Sequence, residues 1–138
     1  MNETPTIQVG ILGFGTVGQG TWKHLEENAD FWEKILGVRL VPSRASVRTL
    51  DKERKVKIPT DALTTDSQSI VDDPKIDLLC ELIGGIEEAK KLTLRAFSLG
   101  KSVVTANKAL ICEHGDELFQ AAEEAGVHYA FEASVAGG

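Results

Sequence analysis

Apolar residues along this chain switch between two spacings. A compact run, Ile7 to Leu12, stops at a cluster of glycines. Directly after it, Val17, Trp22, Leu25, Ala29, Trp32 and Leu36 recur at three- and four-residue steps. The run predicts a buried strand, and the stripe predicts one long amphipathic helix from about Val17 to Leu36 with Gly37 as its stop. Val38 to Val47 reads as a second strand, imperfect because Pro42 has no N–H for the ladder. Residues Arg48 to Pro59 are charged and irregular. A short third strand is expected at Leu63 to Thr65, and Asp66 is placed to cap a brief helix, Ser67 to Val71.

The second half repeats the alternation. Ile76 to Ile83, IDLLCELI, is too apolar for a half-exposed strand and predicts one covered on both faces. Glu81 interrupts that run, and a carboxylate there needs a partner or solvent from a cleft. Helix Glu87 to Leu99 follows, with Ala89, Leu92, Ala96 and Leu99 inward and Gly100 as C-cap. Lys101 to Thr105 is the next strand, Ala106-Asn107-Lys108 a turn, Gly115 to Ala125 a helix ended by Gly126, and Val127 to Ala133 a last strand. Strands alternating with helices predict an α/β fold: a doubly wound, mostly parallel sheet of Rossmann type in three αβα layers. In the order 3-2-1-4-5-6 the strands ending at Gly13 and Gly84 are neighbours, and ligands bind where they part, beyond their carboxyl ends. All 138 residues are expected to form one dinucleotide-binding domain.

The chemistry enters at Gly13-Phe14-Gly15-Thr16-Val17-Gly18. Gly13 permits a sharp turn, Gly15 lets a pyrophosphate approach the backbone, and Gly18 lets the helix sit close on the sheet. The helix start then offers unpaired N–H groups and a positive dipole end to the phosphates. Strand before and helix after favour cofactor binding over a plain structural turn.

Composition narrows the field. A net charge of −6 argues against nucleic acid as the main partner. No apolar run is long enough for a membrane span, and the opening MNETPT lacks the character of a signal peptide. Cys80 and Cys112 lie in apolar stretches without metal-ligand spacing, so both read as buried free thiols in a reducing cytoplasm. Strands binding NAD usually close with Asp or Glu at the ribose hydroxyls; here the second strand ends Val47-Arg48-Thr49. The forked donors of Arg48, with Lys52 and Arg54 near, suit a 2′-phosphate, and Asp51 is the nearest acid. NADP is therefore favoured, with NAD as the other possibility.

The segments GFGTVG, VRTLDKER, LTTD, ELIGG, VVTANKAL and FEASVAGG, in this order and spacing, closely resemble the N-terminal half of homoserine dehydrogenase. That family reduces aspartate 4-semialdehyde to homoserine with NADPH or NADH, on the route to threonine, methionine and isoleucine. The resemblance implies that Phe14, Thr16 and Val17 lie at the pyrophosphate and Arg48 at the adenosine ribose, with Gly84 and Gly85 bordering the nicotinamide. The family often has Asp where Thr49 stands, which weakens the case for NAD. Lys108 matches the family lysine between nicotinamide and substrate, where an ammonium stabilises or protonates the oxygen that hydride attack makes negative. On residue chemistry alone Lys108 would read as a surface lysine on a turn. Glu132, Val135 and Gly137 match the family's monovalent-cation site, for an ion such as sodium. The family's substrate domain follows the final glycines, so the chain is expected to be an isolated cofactor domain of a homo-oligomeric enzyme. A nucleotide-sensing regulatory module is the alternative from another class; nothing in it would need Lys108 or Gly84-Gly85. A different semialdehyde or dihydrodipicolinate reductase would call for a catalytic cysteine or a histidine-rich motif. Cys80 sits inside an apolar strand, and His24, His114 and His128 form no such group.

Overall fold

Strand β1 (Thr6–Leu12) runs through the middle of the molecule, and its two faces feed two separate cores. A computed structural model describes residues 4–50 and 52–131. Parallel to β1 lie β2 (Arg39–Ser46) on one side and β4 (Leu78–Glu81) on the other. Beyond β2 comes β3 (Leu63–Thr64); beyond β4 come β5 (Ser102–Thr105) and β6 (Tyr129–Phe131). The order is β3-β2-β1-β4-β5-β6, the doubly wound arrangement expected from the sequence. Every strand pair is parallel, so each connection must cross over a face of the sheet. Pro42 is accommodated by a slip in register: Val9 faces Pro42, but Gly10 faces Arg44.

Successive side chains of a strand point to opposite faces. Val9 and Ile11 join Ala45, Phe14 and Trp22 on the side of helix α1 (Thr16–Glu27). Leu12 joins Leu79 and Val103 on the other side, beneath α3 (Ser67–Val71), α4 (Glu87–Ser98) and α5 (Lys108–Ala125). Three layers result. No helix among the described residues is long and apolar enough to cross a membrane.

Three expectations are corrected. The helix predicted over Val17–Leu36 is two: α1 stops at Asn28 (φ −113°, ψ 22°), and α2 (Ala29–Leu36) starts again beyond it. The Asn28 amide donates to the His24 carbonyl at 3.0 Å, a side-chain bond that competes with helix continuation. Of the six predicted stripe residues only Trp22 is buried, and Leu36 is exposed. Helix α5 begins seven residues before the predicted Gly115. Asn107 caps it by accepting from the Leu110 N–H at 3.0 Å, so Lys108 opens a helix and does not lie in a turn. A kink at His114 (φ −131°, ψ 16°) marks the point where the sequence seemed to start the helix. Lastly, Cys112 is exposed, while Cys80 is largely covered and burial pushes its thiol up to about 11. The last predicted strand is seen as Tyr129–Phe131, and its end lies outside the described residues.

Candidate functional site

The carboxyl ends of β1, β2 and β4 open onto one cleft of about 410 Å³. Its floor is the glycine turn. Gly13 has φ +99°, and a Cβ there would lie 2.8 Å from the Leu82 carbonyl, so both conformation and space exclude a side chain. At Gly18 a Cβ would come within 2.2 Å of the Gly13 carbonyl oxygen. Gly15 differs: nothing among the described residues lies within 4 Å of where its Cβ would be.

Ser46, at the end of β2, holds the turn in shape. Its hydroxyl accepts from the Gly13 N–H at 3.1 Å and its carbonyl from the Phe14 N–H at 2.8 Å. The Ser67 hydroxyl in turn donates to Ser46 Oγ at 2.7 Å. Two turn amides are thus engaged, while the N–H groups that follow at the start of α1 have no intrahelical acceptor. Open space over Gly15 beside such amides fits a pyrophosphate. The Phe14 ring does not enter the cleft. It is buried edge-on against Trp22, with centroids 5.8 Å apart, so only the backbone of Phe14 can meet a phosphate.

Across the cleft stand Val47, Arg48, Thr49, Lys52, Glu53 and Arg54. Arg54 folds back on its own loop, donating to the carbonyls of Thr49, of Leu50 at 3.3 Å and of Lys52 at 2.7 Å. It shapes the loop; among the described residues of this wall, Arg48 and Lys52 are the cations left to meet an anion. Gln19 ties this loop to the turn by accepting from the Val56 N–H at 3.1 Å.

The third wall is Leu82, Ile83 and Gly84. Behind it lies Glu81, fully buried. The carboxylate has found partners: Oε1 accepts from the Thr105 hydroxyl at 2.8 Å and Oε2 from the Ile83 N–H at 3.2 Å. Burial raises the Glu81 pKa, and hydrogen bonds with Thr105, Ile83 and Asn107 oppose the shift. Burial and the Glu81 charge push the Tyr129 phenol up to about 12.

A carboxyl whose folded-state pKa is raised favours the folded chain in its protonated form. That contribution is full below the unfolded pKa and is lost as pH rises through the folded one. The stability gap between Glu81→Gln and the native chain is therefore expected to shift in the variant's favour from pH 5 to pH 8 in urea unfolding. A gap that moves the opposite way would contradict the buried-acid assignment.

The cleft therefore gathers Gly13, Phe14, Gly15, Arg48 and Gly84 on its wall. Thr16, Val17 and Gly18 follow in the first turn of α1, off that wall. Gly85 and Lys108 are exposed beyond it, joined through Asn107, whose amide donates to the Gly85 carbonyl at 2.5 Å. Glu132, Val135 and Gly137 lie outside the described residues. Among the described residues no cluster of three or more His, Cys, Asp or Glu could hold a metal ion. Sequence reading missed Ser46, Ser67 and Gln19; the one available signal was a small polar residue closing an apolar strand.

Comparison with known proteins agrees with this geometry. A family model described as the NAD binding domain of homoserine dehydrogenase matches residues 13–132. The homoserine dehydrogenases of Synechocystis and Bacillus subtilis are each 42% identical to this chain over 96% of its length. The chain spans 30% of the length of each. A crystal structure of a homoserine dehydrogenase from Thiobacillus denitrificans superposes with a TM-score of 0.86 at 46% identity, over 93% of this chain and 30% of that one. A hyperthermophilic archaeal homoserine dehydrogenase in complex with NADPH shares the fold, with a TM-score of 0.72 at 24% identity, over 94% of this chain and 44% of that one.

Proposed function

Because the chain belongs to the homoserine dehydrogenase NAD-binding domain family, we propose that residues 1–138 are the NADP(H)-binding domain of an enzyme interconverting aspartate 4-semialdehyde and homoserine. The observation that carries this reading is the turn pinned by Ser46, with open space over Gly15 and Arg48 facing it across the same cleft. The α1 amides from Gly15, Thr16 and Val17 hold the pyrophosphate, Gly18 keeps them close to the sheet, and Arg48 with Lys52 takes the 2′-phosphate. Gly84 and Gly85 border the nicotinamide. When bound, the cofactor supplies or accepts the hydride. Lys108, which opens α5, stabilises the substrate oxygen and moves its proton. Glu132 with Val135 and Gly137 is assigned to a monovalent cation such as sodium. The enzyme is read as a cytoplasmic homo-oligomer. The family match and the named relatives support this reading over a nucleotide-sensing module.

Titration with NADPH and NADH, followed by nicotinamide fluorescence, tests it. Arg48→Ala is expected to weaken NADPH by roughly 10- to 100-fold, the loss of a charge-assisted bond, and to leave NADH nearly unchanged. Equal losses for the two would remove the role of Arg48. The chain alone is expected to turn over no homoserine; steady-state activity would overturn that expectation.

A further inference from the structure

Glu81 and Thr105 are register partners at the ends of β4 and β5, and both are fully buried. A closed circuit of hydrogen bonds starts there. The Thr105 hydroxyl donates to Glu81 Oε1 at 2.8 Å and accepts from the Asn107 N–H at 3.0 Å, using its single proton and one lone pair. Asn107 Oδ1 accepts from the Leu110 N–H, and Nδ2 donates to the Gly85 carbonyl at 2.5 Å. The chain runs back from Gly85 through Gly84 to Ile83, whose N–H returns to Glu81 Oε2 at 3.2 Å. Two donors converge on the side chain at position 81. A carboxylate meets both because it has two acceptors and no donor; leucine, which the apolar strand would otherwise favour, would leave the Ile83 N–H without its partner and Thr105 with only the Glu81 carbonyl at 3.5 Å.

We infer that Glu81, Thr105 and Asn107 are positioning residues that fix the Gly84–Gly85 wall and the Lys108 helix start as one unit, through side-chain bonds separate from those of the phosphate end of the cleft. The phosphate end is held by a different set of bonds, through Ser46, Ser67 and Gln19. Loosening the circuit therefore frees the nicotinamide end while the phosphates stay bound. The inference rests on the cofactor assignment above.

The test uses the whole chain and two ligands: NADPH, and 2′-phospho-ADP-ribose, which carries the same phosphates without a nicotinamide. Thr105→Val keeps the shape and removes the hydroxyl; Thr105→Ser restores it. With Thr105→Val, 2′-phospho-ADP-ribose is expected to bind within about twofold of the native chain, as for independent sites, measured by calorimetry. Saturating NADPH should then lose at least about half of its nicotinamide emission enhancement, and Thr105→Ser should recover it. Glu81→Gln, which keeps an acceptor but sets an amide against one of the two donors, should give a partial loss. Full enhancement with Thr105→Val would overturn the inference, and so would equal losses for both ligands. Failure of the native chain to bind either ligand would overturn the cofactor assignment itself.

Discussion

Gly18→Val is expected to destabilise the domain by about 3 kcal/mol or more and to abolish dinucleotide binding. Gly15→Ala is expected to stay within about 1 kcal/mol of the native stability and still bind NADPH roughly tenfold more weakly. The two glycines lie three residues apart, so the contrast turns on what surrounds them. A Cβ at Gly18 would meet the Gly13 carbonyl oxygen at 2.2 Å and its carbon at 3.1 Å. Those atoms are backbone and cannot swing aside, so α1 must lift away from β1, carrying with it the amides assigned to the phosphates. At Gly15 the backbone (φ −81°, ψ −156°) suits any residue and no atom of the described residues lies within 4 Å. The added methyl fills only the space assigned to the pyrophosphate. Thermal melts by circular dichroism, paired with NADPH titration, separate the two effects. Native affinity in Gly15→Ala would place the phosphates elsewhere, and a normal melt in Gly18→Val would refute the close approach.

The sheet was legible in the sequence because parallel strands buried on both faces stand out as short apolar runs between glycines. Their order followed from right-handed crossovers and the glycine turn at the end of the first run. Side chains acting at a distance were not legible. Ser46 reaches the turn across 33 residues, and no local pattern marks a serine as the acceptor for Gly13. Glu81 was legible as a problem, since it interrupts an apolar strand, but its solution, Thr105, lies 24 residues further on. The break at Asn28 escaped because the apolar spacing continues through it, while the departure from helix lies in the backbone angles of one residue. Cys112 shows a related limit: neighbours Leu110 and Ile111 are apolar, yet helical rotation leaves the thiol outside. The cofactor site thus divides into a turn written in glycines and a supporting set of polar contacts that appears only when the strands are assembled.

Trp22→Ala is expected to cost about 3–5 kcal/mol, a large part of the roughly 5–15 kcal/mol that holds a domain together. Trp22 is 2% exposed and is the one buried residue of the predicted stripe, so it carries most of the attachment of α1 to the sheet. It also supports the cofactor turn: the Phe14 ring leans on it at an interplanar angle of 79°, and Phe14 is the second residue of that turn. Truncation should therefore weaken NADPH binding together with stability. Trp22→Phe separates packing from polarity. The indole Nε1 is buried without an acceptor among the described residues, a loss already present in the folded chain. Phenylalanine gives up some volume but removes that unpaired donor, whose burial costs about 1–3 kcal/mol. The two terms oppose each other, and Trp22→Phe is expected within about 1.5 kcal/mol of the native chain. Urea unfolding followed by far-ultraviolet circular dichroism gives both values. If Trp22→Phe proved as damaging as Trp22→Ala, the indole N–H would have to be hydrogen-bonded, and the turn would rest on a polar contact instead of an aromatic one.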